Sequence, residues 1–155
     1  MSVENVKKHF NAHCLQSLIK ELNSSTATVA EAAAAIGCKP EEIAKSLAFM
    51  VEGKPVLIVV AGDVKIANSK FKAYFGTKAV MLKGQQVEDL IGHPIGGVCP
   101  FGLKDGVSVY LDESLKRFQV VYPACGSPNA VAKLTLDQLE ELSCPLDWID
   151  VCQVV

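Results

Sequence analysis

The chain has 155 residues, half of them hydrophobic and 21% charged, with a formal net charge of -2. That length suits one globular domain with a sizeable core, and seven prolines with eleven glycines exclude a collagen-like, low-complexity or mostly disordered chain. No segment approaches the ~20 uninterrupted apolar residues that cross a bilayer. The polar start, Ser2-Val3-Glu4-Asn5-Val6-Lys7-Lys8, is unlike a signal peptide, so a soluble cytosolic protein is expected.

Val3, Val6, Phe10, Cys14, Leu18 and Leu22 recur at steps of three and four and predict a long amphipathic helix over 3–22. Thr28 with Glu31 three residues on reads as a capping box, and Gly37 as the stop of the alanine-rich helix between them. Pro40, Glu41 and Glu42 suit the first turn of another short helix, which places Lys45 at its end. From Ser46 the pattern turns to strand. A second β-branched run, 55–61, follows Glu52-Gly53-Lys54, so the two form a hairpin.

Asn68 is a candidate cap for a helix ending at Gly76, followed by a strand over 79–82 and a helix from Gln85 to Ile91. The stretch Gly92–Gly106 holds five glycines and two prolines and is the longest irregular segment. Strands at 107–111, 118–122 and 130–134 come next, and Thr135 with Gln138 caps a last helix ending near Ser143. Helices and strands mix without a regular βαβ rhythm. The fold class is therefore α+β, a mixed and strongly bent sheet or partial barrel flanked by helices, in one domain over 1–155.

The six cysteines show no two-residue spacing of a zinc or redox motif and read as free thiols, mostly small buried hydrophobes. His9 and His13 lie four apart and His93 sits in the glycine-rich stretch; with no zincin glutamate and no evident further ligand, no metal site is assigned. A metal-dependent hydrolase using these three histidines is the weakest reading. Nucleophile-elbow, Walker and dinucleotide motifs are absent, which removes the main support for serine hydrolases, P-loop enzymes and Rossmann oxidoreductases.

What remains is loops and lysines. Glycines in 92–103 allow backbone N–H groups to approach a carbonyl, carboxylate or phosphate, while proline stiffens the loop; the same stretch also reads as a complicated connection between strands. The turn Gly126-Ser127-Pro128-Asn129 either offers side-chain hydrogen bonds to a ligand or closes an Asx or Ser turn. Lys45, beside an apolar strand, either snorkels to solvent or meets an anionic partner. Residues 64–87 carry Lys65, Lys70, Lys72, Lys78 and Lys83 with no Asp or Glu, a local charge of +5 that leaves -7 for the rest. They read as a local phosphate-contacting patch or as solvated faces.

Taken in order, Glu41-Glu42-Ile43-Ala44-Lys45-Ser46-Leu47, Val59-Val60-Ala61-Gly62-Asp63, Gly96-Gly97-Val98-Cys99-Pro100-Phe101-Gly102-Leu103 and Gly126-Ser127-Pro128-Asn129 make the chain resemble the YbaK/prolyl-tRNA synthetase-associated domain family of editing deacylases. The likeness covers nearly the whole chain. It implies a barrel-like sheet of six to seven strands and hydrolysis, without cofactor or metal, of the ester joining a wrong small amino acid to tRNA. By the same resemblance Lys45 holds the phosphate or sugar of the terminal nucleotide. The backbone at Gly96, with Gly97, Val98, Cys99, Pro100 and Phe101, binds the aminoacyl group, with Gly126, Ser127 and Asn129 beside it. Cys99, Phe101 and Met50 are candidates for the pocket wall, and Cys99 is not a nucleophile. Lys65, Lys70 and Lys72 are the expected tRNA contacts, and an aminoacyl-tRNA synthetase is a candidate partner. The alternative is a non-catalytic module of the same fold that binds tRNA, a nucleotide or a synthetase.

Overall fold

The structure, a computed structural model, describes residues 2–155. In chain order its elements are α1 (Ser2–Asn11), β1 (Ile19–Glu21), α2 (Val29–Ile36), β2 (Ile43–Val51), β3 (Lys54–Ala61), β4 (Val64–Ile66), α3 (Asn68–Phe75), α4 (Gln85–Ile91), β5 (Ser108–Asp112), β6 (Val120–Pro123), β7 (Ala130–Ala132), β8 (Leu134–Thr135), α5 (Leu136–Ser143), β9 (Asp147–Ile149) and β10 (Cys152–Val154). Six strands form a mixed, curled sheet in the order β8-β6-β2-β3-β5-β9, and two small antiparallel pairs, β1-β7 and β10-β4, form sheets of their own. The architecture is α+β, as the sequence predicts.

The β2–β3 hairpin is antiparallel from Ala44↔Ala61 to Val51↔Lys54. Its turn needs left-handed backbone at both central residues, Glu52 (φ 51°) and Gly53 (φ 79°), which matches the twist of the flanking strands. β3 is central, paired with β2 on one edge and in parallel with β5 on the other, while β2 pairs in parallel with β6; both of its faces are packed, and Val56–Ala61 are all buried. One face packs on a core that includes Phe10 of α1, Phe49, Phe71, Leu111 and Leu139. On the other, Leu57, Ala48 and Val109 meet Val87 and Ile91 of α4.

Several expectations are corrected. The first helix stops at Asn11; Val6 and Phe10 are fully buried as its stripe requires, but Cys14 turns at φ 61° and Ile19–Glu21 pair with Ala130–Ala132. A distant strand claims residues whose local spacing is helical. Pro40–Glu42 form a single 3-10 turn, and the chain is extended from Ile43, which pairs with Tyr122, so Lys45 stands in β2 and not on a helix. Asn68 opens α3 without capping it. Of the strand expected over 79–82 only a bridge, Phe49↔Met81, forms. By contrast, Thr28 accepts a hydrogen bond from the Glu31 N–H, Gly37 ends α2 at φ 81°, and Thr135 and Gln138 close a full capping box on α5.

All six cysteines are free, but only Cys99, Cys125 and Cys152 are buried. Burial pushes the Cys99 and Cys152 thiols up to about 12 and raises Cys125 as well. A thiol reagent at neutral pH is therefore expected to modify exposed Cys14 and Cys144 first and Cys38 more slowly, since burial and Glu42 raise its pKa. Mass spectrometry should find Cys99, Cys125 and Cys152 modified only after denaturation.

Candidate functional site

A cleft of about 420 Å³ opens beside β2, lined by residues from the Thr26–Val29 segment, by Ile43–Ala48, by Met81 and Leu82, and by Ile95, Gly96 and Val98 of the glycine-rich loop. Its walls are mostly apolar, with a few polar groups converging on them. Lys45 and Gly96, far apart in sequence, share this cleft.

Lys45 is half-buried. Its Nζ donates to the Val64 carbonyl at 2.6 Å and to the Gly62 carbonyl at 3.5 Å. Desolvation lowers its pKa below the ordinary lysine value, and the nearby Cys152 and Asp63 work against that fall. The turn that holds it is itself pinned. Arg117 forms a bidentate pair with Asp63 (3.0 and 2.5 Å) and donates through Nε to the Ser114 carbonyl, and this pair holds the Asp63 carboxyl below its usual range. A Cβ on Gly62 would overlap the Pro40 carbonyl, so only glycine fits where the turn crosses the 3-10 segment.

The loop is braced from behind. The Gly97 N–H donates to the Pro94 carbonyl and the Gly126 N–H to the Gly97 carbonyl, each at 3.0 Å. Gly96 lies at φ 92°, with the Ala27 Cβ only 3.1 Å from where its own Cβ would stand. The late turn acts as a strut. Ser127 Oγ donates to Asn129 Oδ1 at 2.7 Å, Asn129 Nδ2 donates to the Leu22 carbonyl at 3.0 Å, and the Thr26 N–H donates to the Pro128 carbonyl. Gly126, Ser127 and Asn129 thus join the loop to the opposite lip and do not line the cleft.

Of the residues singled out from the sequence, Lys45, Gly96 and Val98 line the cleft, while Gly97 supports them from the brace. Cys99 and Phe101 do not form its wall. Both are fully buried in the main core, where Phe101 meets Phe10 edge-to-face at 4.9 Å. Pro100 borders a separate depression and Met50 packs on the α4 side of the sheet. The histidines do not converge: His93 is buried against the Phe101 carbonyl at 2.6 Å, His9 meets the Leu142 carbonyl, and His13 meets Glu141. Lys65, Lys70, Lys72, Lys78 and Lys83 are all exposed, and Lys70 is paired with Asp150 at 3.0 Å. Thr26, Ser46 and Arg117 carry no functional signal in the sequence: Thr26 is one hydroxyl in a Ser/Thr run, Ser46 a lone serine at the start of a strand pattern, and Arg117 a single arginine with no spacing partner.

A sequence profile of the aminoacyl-tRNA editing domain matches residues 23–142. The chain is 51% identical over 154 residues to the uncharacterized protein YwhH of Bacillus subtilis, covering 99% of this chain and 98% of that one. It is 34% identical over 101 residues to a proline–tRNA ligase of Geobacillus kaustophilus, a match that takes in 64% of this chain and 18% of the ligase. A crystal structure described as a candidate trans-editing enzyme for prolyl tRNA synthetase superposes with a TM-score of 0.88 at 31% identity, covering 98% of this chain and 97% of that one.

Proposed function

The chain belongs to the aminoacyl-tRNA editing domain family, and from that premise we propose that it is a trans-acting deacylase that hydrolyses the ester of a small amino acid wrongly attached to tRNA. The observation that carries this reading is the single cleft shared by Lys45 and the Gly96 loop.

In this reading the Lys45 ammonium holds the phosphate or sugar of the terminal nucleotide, with two carbonyls fixing its position. The main chain at Gly96 and Val98 faces the aminoacyl carbonyl, with Gly97 bracing it from behind. Water adds to that carbonyl carbon, the bond to the ribose oxygen breaks, and the products are the free amino acid and a tRNA with its hydroxyl restored. An aminoacyl ester is already activated, so orientation and backbone stabilisation of the developing oxyanion suffice without a nucleophilic side chain. The Cys99 thiol, buried and held at about 12, is in no state to serve as one.

The exposed lysines of 64–87 meet the acceptor end, and a prolyl-tRNA synthetase is the source of the mischarged tRNA, in the cytoplasm. With net charge -2 and basic charge confined to one patch, affinity for free tRNA is expected to be weak and salt-dependent. The test is a panel of tRNAs charged with alanine, serine, cysteine and proline, incubated with the protein and assayed for remaining ester. Loss of at least one non-cognate ester far above the uncatalysed rate supports the reading, and no acceleration for any of them overturns it.

A further inference from the structure

The loop that carries Gly96 and Val98 to the cleft starts at the end of α4 and is closed at its base, where the Lys104 N–H donates to the Ile91 carbonyl at 3.1 Å. Above that bond Pro94 and Pro100 flank the neck of the loop, and neither has an amide hydrogen to give across it. A side chain bridges the neck instead. His93 is fully buried with Nε2 2.6 Å from the Phe101 carbonyl, and Cys99 Sγ lies 3.4 Å from the same nitrogen and reaches the same carbonyl at 3.7 Å. A carbonyl only accepts, so Nε2 carries the proton and Nδ1 is bare; Ser2 of α1 donates its hydroxyl to that bare nitrogen. Both ring nitrogens are thus satisfied in the neutral form. Burial lowers the pKa of the ring against the opposing pull of the Phe101 carbonyl, which keeps it neutral at neutral pH.

The first helix presses this clamp against the loop. A Cβ on Gly102 would stand 3.0 Å from the Asn5 carbonyl carbon, and one on Gly126 2.9 Å from Ser2 Oγ, so α1 lies directly on the loop and on the strut that braces it. We propose that His93, fixed as one neutral tautomer by Ser2, is a positioning residue for the deacylation: its ring spans the neck of the loop and sets the main chain at Gly96 and Val98 against the aminoacyl carbonyl. His93 does not line the cleft and so acts only through the loop. The inference rests on the deacylase reading and adds the residues behind the cleft that give the loop its place. Lys45 and the exposed lysines hold the nucleotide without help from the neck, so loss of the clamp acts on the bound ester and not on capture of the tRNA.

The experiment takes whichever of alanyl-, seryl-, cysteinyl- and prolyl-tRNA the wild type hydrolyses fastest and measures its hydrolysis over a range of tRNA concentrations by wild type, His93→Leu, His93→Gln and Ser2→Ala, with the thermal midpoint of each preparation. Glutamine places an amide N–H where Nε2 stands and still donates to the Phe101 carbonyl, whereas leucine fills the space and cannot. His93→Leu is expected to lower the saturating rate per folded molecule by about 10²-fold, the loss that a displacement near 1 Å brings, with the half-saturating tRNA concentration unchanged. His93→Gln should recover most of that loss. Ser2→Ala leaves the ring in place but frees it to turn, and should lower the same rate by a smaller factor. A role confined to stability would lower the midpoints and leave the rate per folded molecule at its wild-type value, and that result overturns the inference. So does a loss in His93→Leu that glutamine does not recover, or one that falls on the half-saturating concentration in place of the rate. Should His93→Leu not fold, Ser2→Ala decides, because its side chain is only half-buried, and a wild-type saturating rate in it overturns the clamp. If wild type hydrolyses none of the four esters, the deacylase reading itself fails and this inference with it.

Discussion

Replacing Lys45 with alanine is expected to reduce deacylation by roughly 10²-fold, because the group that positions the terminal nucleotide is lost and a displacement of the ester near 1 Å is enough for that. Among the described residues Lys45 is the only cationic one lining the cleft, and its partners are main-chain carbonyls and not a carboxylate, so its charge is not cancelled by an ion pair at short range. Stability should change much less. The variant leaves the Gly62 and Val64 carbonyls short of one donor, a cost of about 1 kcal/mol, while removing a half-buried charge offsets part of that. Arginine should not substitute, because its planar fork is longer and does not fit a seat built for a point charge. Single-turnover hydrolysis of a charged tRNA, with thermal midpoints of the same preparations, separates the two effects. A Lys45→Ala variant that retains wild-type rates would remove Lys45 from the mechanism.

The second large effect is expected from Gly97→Ala. A Cβ there would stand 2.6 Å from the Gly126 carbonyl carbon and 2.7 Å from the Ser127 Cα, and closer still to the Ser127 nitrogen. These are backbone atoms of the strut, so they cannot swing aside as a side chain would. The loop must move away, the bond from the Gly126 N–H to the Gly97 carbonyl opens, and Gly96 is carried off the cleft wall. Overpacking of this kind costs about 1–3 kcal/mol in stability, and activity should fall by at least 10²-fold, since a displacement near 1 Å is enough for that. Gly53→Ala is the comparison: it strains left-handed backbone (φ 79°), where Gly97→Ala overlaps neighbouring backbone, but its Cβ meets open space in the hairpin turn remote from the cleft. It should lower the thermal midpoint while leaving the deacylation rate of folded protein intact. Equal activity losses in the two variants would mean that general destabilisation, not loop position, is being read.

What the sequence makes legible follows the range of the interactions involved. Helix ends were legible because they are local: Thr28 and Glu31, Gly37, and Thr135 with Gln138 do their work within one turn. Apolar spacing overextends the first helix because the pairing of Ile19–Glu21 with Ala130–Ala132 is non-local, and nothing in the first 22 residues announces it. Local spacing singles out Lys45 but sets it on a helix, since the switch at Ile43 depends on the parallel partner Tyr122. The glycine-rich loop was found by composition, yet its sidedness was not, because an irregular segment has no period to tell inward from outward. Cys99 and Phe101 therefore proved to be core residues. Thr26 and Ser46 become conspicuous only as buried oxygens without partners, a property of three dimensions.

The seat of Lys45 also has a bearing on how the molecule is assembled. The Asp63 carbonyl accepts the Val155 N–H, and Cys152–Val154 pair with Val64–Ile66, so the turn that presents its carbonyls to the ammonium is tied down by residues about ninety positions later. Such closures form late, after the loop entropy between them has been overcome. A growing chain can build the β2–β3 hairpin while it is still on the ribosome, but the lysine on that hairpin gains a fixed environment only when the segment beyond residue 150 has emerged and docked. The Lys45 end of the cleft is therefore expected to be among the last parts of the fold to be completed, and an incompletely synthesised chain to carry its hairpin without a fixed seat for that lysine.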